Sequence, residues 1–475
     1  MKSKILGLLL GILSFITVVH TDLINIPSEP KVVLGILLLC IFWWLFEVVP
    51  VGITGLFGLI LAVFYGIADV DKVFIGFSNP VILLMIGSFL IAHSVNKYGL
   101  DKRISLNILS KDFFIKSPIR LIIGFSSITF LLSMWLSNTA TTAMMLPIVL
   151  GVIYLLKEEK IQGYKNFASF MLLSIAYSAS IGGIGTIVGS PTNLVGLGFL
   201  KEEGISIDFF QWILLMLPIA LSMYVIMILY IRFFLRKVKF NPQEIKTILQ
   251  KEKEKLPKMS KEEKIVAGVF LLAVFLWILP SFVSMLGFEE LGKQISKKIP
   301  ESIVAVLSAG LLFLIPKDLK NYQTILTVED LKEVDWNTVI LFASGISIGK
   351  LISSSGLGEI IAKSLSGYIT YVPLLLFILI VVIILLTEIN SNTATVITFA
   401  PIIIALLKNN QIDFVYPTLA IIVAASFAFM FPIATPPNAI VYSTGFIKLQ
   451  DMAKFGLFLN AVGSIVIYFF LILIH

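Results

Sequence analysis

Long apolar stretches recur along the whole chain, and each is close to the length of one bilayer crossing. The strict alternation of apolar and polar residues that marks membrane β-strands is absent, which argues against a transmembrane barrel. The pattern therefore predicts an all-α polytopic membrane protein with about eleven transmembrane helices. The predicted crossings are 5–20, 32–47, 53–66, 78–96, 167–199 and 209–232, followed by 264–283, 302–316, 337–352, 416–445 and 453–474.

Two further apolar stretches are each interrupted by the same polar string, Ser-Asn-Thr-Ala-Thr, at 137–141 and 391–395. In both places a hydroxyl residue, Ser133 or Thr387, lies four positions before the string. Broken backbone at membrane depth must be buried in protein or line a polar cavity, so we predict two re-entrant hairpins with the strings at their tips. Repetition at matching places indicates internal repeats, which are typical of secondary transporters. The predicted hairpins cover 119–150 and 372–408.

The two halves of the chain can be superimposed motif by motif. The stretch 85–100 corresponds to 342–357, and Gly-Ser-Pro-Thr-Asn at 189–193 corresponds to Ala-Thr-Pro-Pro-Asn at 434–438. An odd number of predicted crossings in each half requires the two repeats to have opposite orientations in the membrane. The predicted divisions are an extra N-terminal helix and loop at 1–31, the first repeat at 32–235, a basic linker at 236–263 and the second repeat at 264–475.

Positive charge is concentrated in one hydrophilic stretch, 232–264, which separates the two halves. Basic loops stay on the cytoplasmic side, so we predict an inside N-terminus, an outside C-terminus and a location in the plasma membrane. The net charge of +7 is therefore a topology signal and does not indicate nucleic acid binding. With 58% hydrophobic residues and a mean hydropathy of +0.99, the chain has too little charge to cover a soluble surface. The single Cys40 excludes an intramolecular disulfide.

Four interruptions of helices are predicted at membrane depth, namely the two Ser-Asn-Thr tips and the proline-containing segments 189–193 and 434–438. The half-helix after each tip begins with free N–H groups and a partial positive charge, so two such ends that face each other form an anion site. Free carbonyls, with the hydroxyls of Ser133 and Thr387, suit a hard cation such as Na⁺. The repeat thus predicts one anion site flanked by two cation sites. The alternative is that these small polar residues only pack helices together.

Two ionisable residues, His93 and Lys350, occupy matched positions in apolar segments. An intramembrane charge indicates function by default, but both residues lie near a helix end, where Lys can reach the interface and His can bond to a carbonyl. The functional interpretation is that they supply fixed positive charge in place of Na⁺ or face the passing anion. Glu388, directly after Thr387, either orients the second tip or contacts a ligand.

The two Ser-Asn-Thr hairpins, with the Gly-Ser-Pro and Ala-Thr-Pro-Pro-Asn breaks that follow them, resemble the divalent anion/sodium symporter family, which includes the INDY-type transporters of dicarboxylates and citrate. The resemblance implies a homodimer in which a scaffold carries a transport domain that moves across the membrane like an elevator. The implied function is secondary transport of carboxylates such as succinate, malate, fumarate, 2-oxoglutarate and citrate. It implies no cofactor, with Na⁺ as a candidate coupling ion, and no enzymatic activity.

The resemblance also implies residue roles. The residues at the substrate carboxylates would be Ser137, Asn138, Thr139, Ser190, Ser391, Asn392, Thr393, Thr435 and Pro436. The first sodium site would use Ser133, Ser137, Asn138 and Gly189, and the second would use Thr387, Asn390, Asn392 and Ala434.

The family contains sodium-coupled symporters and sodium-independent exchangers, and the sequence carries signals for both. Residues able to form sodium sites favour symport. His93 and Lys350 stand where the symporters more often have small or apolar residues, and their charge favours exchange. Asn390 and Thr192 also depart from the commonest pattern. We favour exchange by a narrow margin, with symport through the same site as the alternative.

Two functions other than a carrier remain as hypotheses. A channel for small anions is one, because two opposed re-entrant loops can also line a pore. A membrane enzyme is the other, but the sequence has three His, one Cys and no His-Glu-x-x-His motif. We therefore predict that the protein is not an enzyme.

Overall fold

A computed structural model describes residues 2–21, 25–235, 238, 241–318, 322–366 and 371–474. Parts of the basic linker and residues 367–370 lie outside the described residues. The described chain is built almost entirely from helices, with one short antiparallel strand pair, β1 (Pro316–Asp318) and β2 (Gln323–Thr324). The prediction of an all-α polytopic fold is confirmed.

Helices form at every predicted crossing, and the two long predicted crossings 167–199 and 416–445 are each broken. The helices before the linker are α1 (Lys2–His20), α2 (Ser28–Leu45), α3 (Val51–Phe64), α4 (Val70–Val73), α5 (Val81–Lys97), α6 (Leu100–Leu109), α7 (Asp112–Ile115), α8 (Pro118–Ser133), α9 (Asn138–Glu158), α10 (Tyr164–Gly183), α11 (Pro191–Glu202) and α12 (Phe209–Phe234). The linker contains α13 (Pro242–Glu254). The helices after it are α14 (Lys261–Met285), α15 (Glu289–Lys298), α16 (Glu301–Leu314), α17 (Trp336–Ser354), α18 (Leu357–Ser366), α19 (Val372–Thr387), α20 (Asn392–Asn409), α21 (Val415–Ala424), α22 (Pro436–Tyr442) and α23 (Leu449–Tyr468).

Several of these helices are suited to a bilayer. Within the described ranges, eight helices are long and apolar enough to cross a membrane, or nine if α5 and α6, bent by 59°, form one span. Shorter apolar helices of 10–17 residues include α3, α8, α16, α19 and α21. The total of about eleven crossings stays a prediction, because short and broken helices span a bilayer only in combination.

The two repeats interlock, because corresponding helices of each repeat pack against the other repeat in a reciprocal pattern. In the first repeat α5 packs against α16 of the second, and in the second repeat α17 packs against α3 of the first. Both contacts are close: a Cβ on Gly87 would lie 2.5 Å from the carbonyl carbon of Ala305, and a Cβ on Gly55 would lie 2.0 Å from Ser344 Oγ. In the same way α10 packs against α22 and α21 packs against α11. This reciprocal packing is what two-fold related repeats require, and it supports the predicted inverted orientation.

Each predicted hairpin consists of two helices joined by four residues. The arms α8 and α9 pack against each other and against α10, while α19 packs against α20 and α21. Pro147 and Pro401 lie inside the second arm of each hairpin. The helices α6 and α18, which follow Gly99 (φ 70°) and Gly356 (φ 78°), start at corresponding places after α5 and α17. Those two turns need positive φ, which glycine adopts without strain.

Candidate functional site

The first tip is closed by a hydrogen bond between the two arms of its hairpin. Ser133 Oγ, at the end of α8, donates to Asn138 Oδ1, at the start of α9, over 2.5 Å. Ser137 is the N-cap residue of α9, and its hydroxyl accepts a long bond of 3.5 Å from the N–H of Ala140. Asn138 and Thr139 are half-buried and Ser137 is exposed. The tip therefore presents an oriented amide and a helix N-terminus that a small solute can reach.

The second tip repeats this arrangement in the other half. Thr387 Oγ1 lies 2.7 Å from Asn392 Oδ1, the same five residues onward, and also 2.7 Å from the carbonyl oxygen of Ala425. Asn390 Oδ1 accepts from the N–H of Ser391 over 2.9 Å, and the Ser391 side chain makes no capping bond to α20. Asn392 and Thr393 are half-buried, as their counterparts are. Both tips thus hold an asparagine in place through a hydroxyl on the preceding arm.

The two broken segments are held open by a second matched pair of asparagines. The Nδ2 groups of Asn193 and Asn438 each donate to the carbonyl oxygens ten and seven residues earlier, over 2.8–3.1 Å. Those carbonyls belong to Gly183 and Thr186 in the first break and to Ala428 and Phe431 in the second. Both asparagines are fully buried, and the Oδ1 atom of each has no hydrogen-bond partner among the described residues. A buried polar atom left unpaired costs about 1–3 kcal/mol, so both Oδ1 atoms are able to accept a further hydrogen bond.

Sequence reasoning did not assign these two asparagines to the site. The signal was present, since Asn193 and Asn438 each close a proline-containing motif at matched positions. The prolines dominated that interpretation because they explain why the helices break. The side chain that bridges each break becomes visible only when the chain on the two sides of it is placed in space.

Gly189 is surrounded by backbone carbonyl oxygens. A Cβ at this position would lie 2.6 Å from the oxygen of Gly183, 2.9 Å from that of Met134 and 3.0 Å from that of Ser133. The Thr186 hydroxyl also donates to the Met134 carbonyl. Neutral oxygens that converge on a point without a side chain form the donor set that a hard cation such as Na⁺ prefers. The arrangement of these carbonyl oxygens therefore fits the first predicted sodium site. The Ser133 hydroxyl and the Asn138 amide, which are hydrogen-bonded to each other, belong to the same predicted set.

The second predicted sodium site has the same chemical character. Its predicted ligands Thr387 and Asn392 are hydrogen-bonded to each other, and the Ala425 carbonyl lies against the Thr387 hydroxyl. Ala434, at 7% exposure, ends the non-helical segment that leads into α22. Asn390 differs, because its Oδ1 caps the neighbouring N–H of Ser391.

One contact joins the two halves of the site. Thr192 Oγ1, at the start of α11, lies 3.5 Å from Thr393 Oγ1, at the start of α20. Ser190 and Thr435 are the N-cap residues of α11 and α22, and each is 6% exposed. Pro436, the first residue of α22, is exposed. The structure thus brings each tip next to the break of its own repeat and joins the repeats through two threonines.

The side chains of His93 and Lys350 each contact a carboxylate on another element. His93 Nε2 lies 2.8 Å from Asp330 Oδ1, and Lys97 Nζ donates to both oxygens of the same carboxylate over 2.8 Å. Lys350 Nζ lies 2.8 Å from Glu202 Oε2. Both pairs were missed in the sequence because the partners lie far away along the chain. A role as substitutes for Na⁺ stays a prediction, but an ion-paired cation adds little net field to an anion site.

The Asp330 cluster leads to a prediction about stability. Asp330 lies in a 3₁₀ turn (Val328–Glu333) between two predicted crossings. Burial alone would raise its pKa, but hydrogen bonds from Lys97, the Thr327 N–H and His93 lower the pKa to about 2. A depressed folded-state pKa stabilises the protein above the unfolded value near 3.8, and this stabilisation is lost as pH falls toward 2.

We therefore expect Asp330→Asn to destabilise the folded protein by about 1–3 kcal/mol at neutral pH. The melting temperature of purified protein, followed by tryptophan fluorescence, should fall by a few degrees at pH 7 and converge with that of the unchanged protein near pH 2. The exposed Asp413→Asn is the control. Equal melting temperatures at pH 7 would show that the cluster contributes nothing.

Comparison with known proteins identifies relatives over nearly the whole length. The profile described as the sodium:sulfate symporter transmembrane region matches residues 3–474. A protein of Staphylococcus saprophyticus named sodium-dependent dicarboxylate transporter SdcS is 32% identical, over 98% of this chain and 90% of its own. The proteins of that name from Staphylococcus aureus strains RF122 and MRSA252 are 32% and 31% identical over the same shares.

Proposed function

This chain belongs to the sodium:sulfate symporter transmembrane family, and from that premise we propose that it is a sodium-coupled secondary transporter of dicarboxylate anions. The resemblance recognised in the sequence is confirmed at the level of the family, and the protein is an integral membrane protein of a transporter family. Relatives named sodium-dependent dicarboxylate transporters support the substrate class and the ion. The observation that carries the proposal is the matched pair of hydroxyl–asparagine bonds at the two tips.

The shape of the site suits an anion with a carboxylate at each end. The helices α9 and α20 each begin at a tip asparagine, and the first N–H groups of each carry part of the helix dipole. Each end offers one asparagine amide and one threonine hydroxyl, at 138–139 and 392–393. Two equivalent ends can each bind one carboxylate, which favours C4–C6 carboxylates such as succinate, malate, fumarate, 2-oxoglutarate and citrate.

The polar groups that form the tips favour coupling to sodium over exchange. The two Ser-Asn-Thr strings offer neutral amides and hydroxyls, so a dianion that leaves water there gains stabilisation from cations bound alongside it. The sequence interpretation favoured exchange because the fixed charge of His93 and Lys350 could replace the ion. Their ion pairs with Asp330 and Glu202 remove that argument, and we now place symport first.

We also propose a division of the protein into a fixed and a moving domain, which the packing of the helices supports. We assign the interlocked helices α3, α5, α16 and α17 to a scaffold, and the two hairpins with α10, α11, α21 and α22 to the transport domain of an elevator. Glu202, on α11, then contacts the scaffold twice: Lys350 Nζ on α17 over 2.8 Å and Asn79 Nδ2 over 3.0 Å. The homodimer and the orientation of the termini stay expectations from the resemblance and from the charge pattern.

These two contacts must break if α11 slides past α17. We expect Glu202→Gln to change the maximal transport rate by roughly two- to fivefold, because a half-exposed ion pair contributes about 0–1 kcal/mol. The swap Lys350→Glu with Glu202→Lys should return the rate toward normal. The control is Lys408→Gln, since Lys408 pairs with Glu203 inside the proposed transport domain. Equal effects of Glu202→Gln and Lys408→Gln would contradict the assignment of α11 and α17 to different bodies.

The substrate class is tested with purified protein in liposomes. Uptake of radiolabelled succinate in the presence of Na⁺ is measured against unlabelled malate, fumarate, 2-oxoglutarate, citrate and sulfate. We expect saturable uptake that dicarboxylates inhibit more strongly than sulfate does. Absence of saturable uptake of any carboxylate would refute the proposal. Stronger inhibition by sulfate would indicate that the substrate is an inorganic anion, as the family's name suggests.

A further inference from the structure

The two repeats share two hydrogen-bond patterns around the tips, and they differ in one charged residue. In each repeat a hydroxyl bonds to an asparagine five residues onward, and an asparagine bridges the break over ten and seven residues. The residue that follows the hydroxyl is Met134 in the first repeat and Glu388 in the second. The second repeat therefore has an acidic residue directly after its predicted cation ligand Thr387, and the first repeat has an apolar one after Ser133.

The Glu388 carboxylate is bound entirely by donors. Its Oε1 accepts from the N–H groups of Phe429 and Met430 over 2.8 and 2.9 Å, and its Oε2 accepts from that of Phe431 over 3.2 Å. Asn460 Nδ2, on α23, donates to Oε1 over 2.6 Å. The side chain is 2% exposed. A buried carboxyl group that only accepts hydrogen bonds has the pattern of an ionised carboxylate.

These contacts fix the backbone of the second break. After α21 ends, the N–H groups of residues 429–431 have left the helix, and Glu388 provides their acceptor. The carbonyls on either side of that run, from Ala428 and Phe431, are bridged by Asn438. The Tyr177 hydroxyl donates to the Phe429 carbonyl over 2.7 Å, which restrains the segment from the other repeat.

The corresponding backbone of the first break needs no such acceptor. There the N–H groups of Ile184 and Gly185 bond to carbonyls three residues earlier, which extends α10 by a partial turn. The Met134 carbonyl accepts from the Thr186 hydroxyl, a neutral contact. Only in the second repeat does an acidic side chain bind the N–H groups of the break, and that side chain belongs to the residue that follows Thr387.

We propose that Glu388 is a positioning residue of the second cation site, and that its charge makes this site bind Na⁺ more tightly than the first. The proposal rests on the proposed function, since it deepens the account of how sodium is bound. A fixed carboxylate near a cation in a region of low dielectric attracts it over several ångströms without direct coordination. The second site should then fill first, and the first site should fill only at higher sodium concentration.

The test is the sodium dependence of succinate uptake by Glu388→Gln in proteoliposomes. Glutamine keeps the shape and removes the charge. We expect the sodium concentration for half-maximal uptake to rise on the order of tenfold, while the maximal rate at saturating Na⁺ changes by less than about threefold. The conservative Glu388→Asp, which keeps the charge, should lie between Glu388→Gln and the unchanged protein.

Asn460→Ala is the matched control, because it removes one hydrogen bond to the carboxylate and leaves its charge. Its sodium requirement should rise less than that of Glu388→Gln. Equal sodium requirements of Glu388→Gln and the unchanged protein, or a lower maximal rate alone, would show a merely structural role and overturn the proposal. If Glu388→Gln does not fold, a sodium requirement in Glu388→Asp raised about tenfold, the full rise expected for loss of the charge, would overturn it too. Failure of the unchanged protein to use Na⁺ would instead count against the proposed function.

Discussion

Replacing Gly189 by alanine is expected to lower sodium-dependent uptake by about 100-fold or more while leaving the fold intact. The added methyl would lie 2.6–3.0 Å from three backbone carbonyl oxygens, those of Gly183, Met134 and Ser133. Real Cβ atoms do not approach oxygens so closely, so the tip and the break must move apart. Those same carbonyls, with the Ser133 hydroxyl, are the oxygens that would hold the first sodium ion.

Gly268→Ala provides the control for this experiment. Gly268 lies in α14, and a Cβ there would meet nothing within 4 Å, so both uptake and melting temperature should be close to normal. The two variants are compared at low and at saturating Na⁺ in the same lipid. If Gly189→Ala transports normally at low Na⁺, the first sodium site does not lie at these carbonyls.

The second large effect is expected from Asn138→Ala, which should lower the rate of transport by about 100-fold or more. We propose that Asn138 lies between the substrate and the first cation, because its Oδ1 accepts from Ser133 and it is the first residue of α9. Removing it takes away a polar contact to both solutes and leaves the Ser133 hydroxyl without its partner. Thr393→Ala should impair uptake in the same direction, since Thr393 lies at the equivalent tip and against Thr192.

The matched control for Asn138→Ala is Thr129→Ala. Thr129 is a fully buried polar residue of the same hairpin, and its hydroxyl bonds only along its own helix, to the Phe125 carbonyl over 2.8 Å. We expect near-normal uptake and a small change in melting temperature. The site assignment fails if Asn138→Ala and Thr393→Ala both transport at the normal rate in protein that melts normally.

Much of the architecture could be predicted because membrane chemistry leaves clear marks in the sequence. Backbone groups in lipid must be satisfied within a helix, so the apolar runs fix where the helices lie. Prolines and polar strings then mark where helices break, and the breaks before Pro191 and Pro436 occur where they were expected. The repetition of Ser-Asn-Thr located the tips, because a matched pair is improbable as packing alone.

The partners of charged and bridging side chains could not be predicted from one sequence. Asp330 lies 237 residues from His93, and Asn79 lies 123 residues from Glu202. No periodicity encodes such contacts, because they depend on how the repeats pack against each other. A cation considered without its carboxylate partner has the appearance of a functional charge. Asn193 and Asn438 were missed for the same reason, since the carbonyls that they bridge are brought together only by the break itself.

The most direct test of the central claim measures how succinate enters proteoliposomes. Empty vesicles are given an inward Na⁺ gradient or an equal K⁺ gradient, and vesicles preloaded with dicarboxylate are measured without Na⁺. The account predicts accumulation in empty vesicles with Na⁺ and little uptake under the other two conditions. Uptake that requires internal dicarboxylate and is indifferent to Na⁺ would contradict it and establish an exchanger.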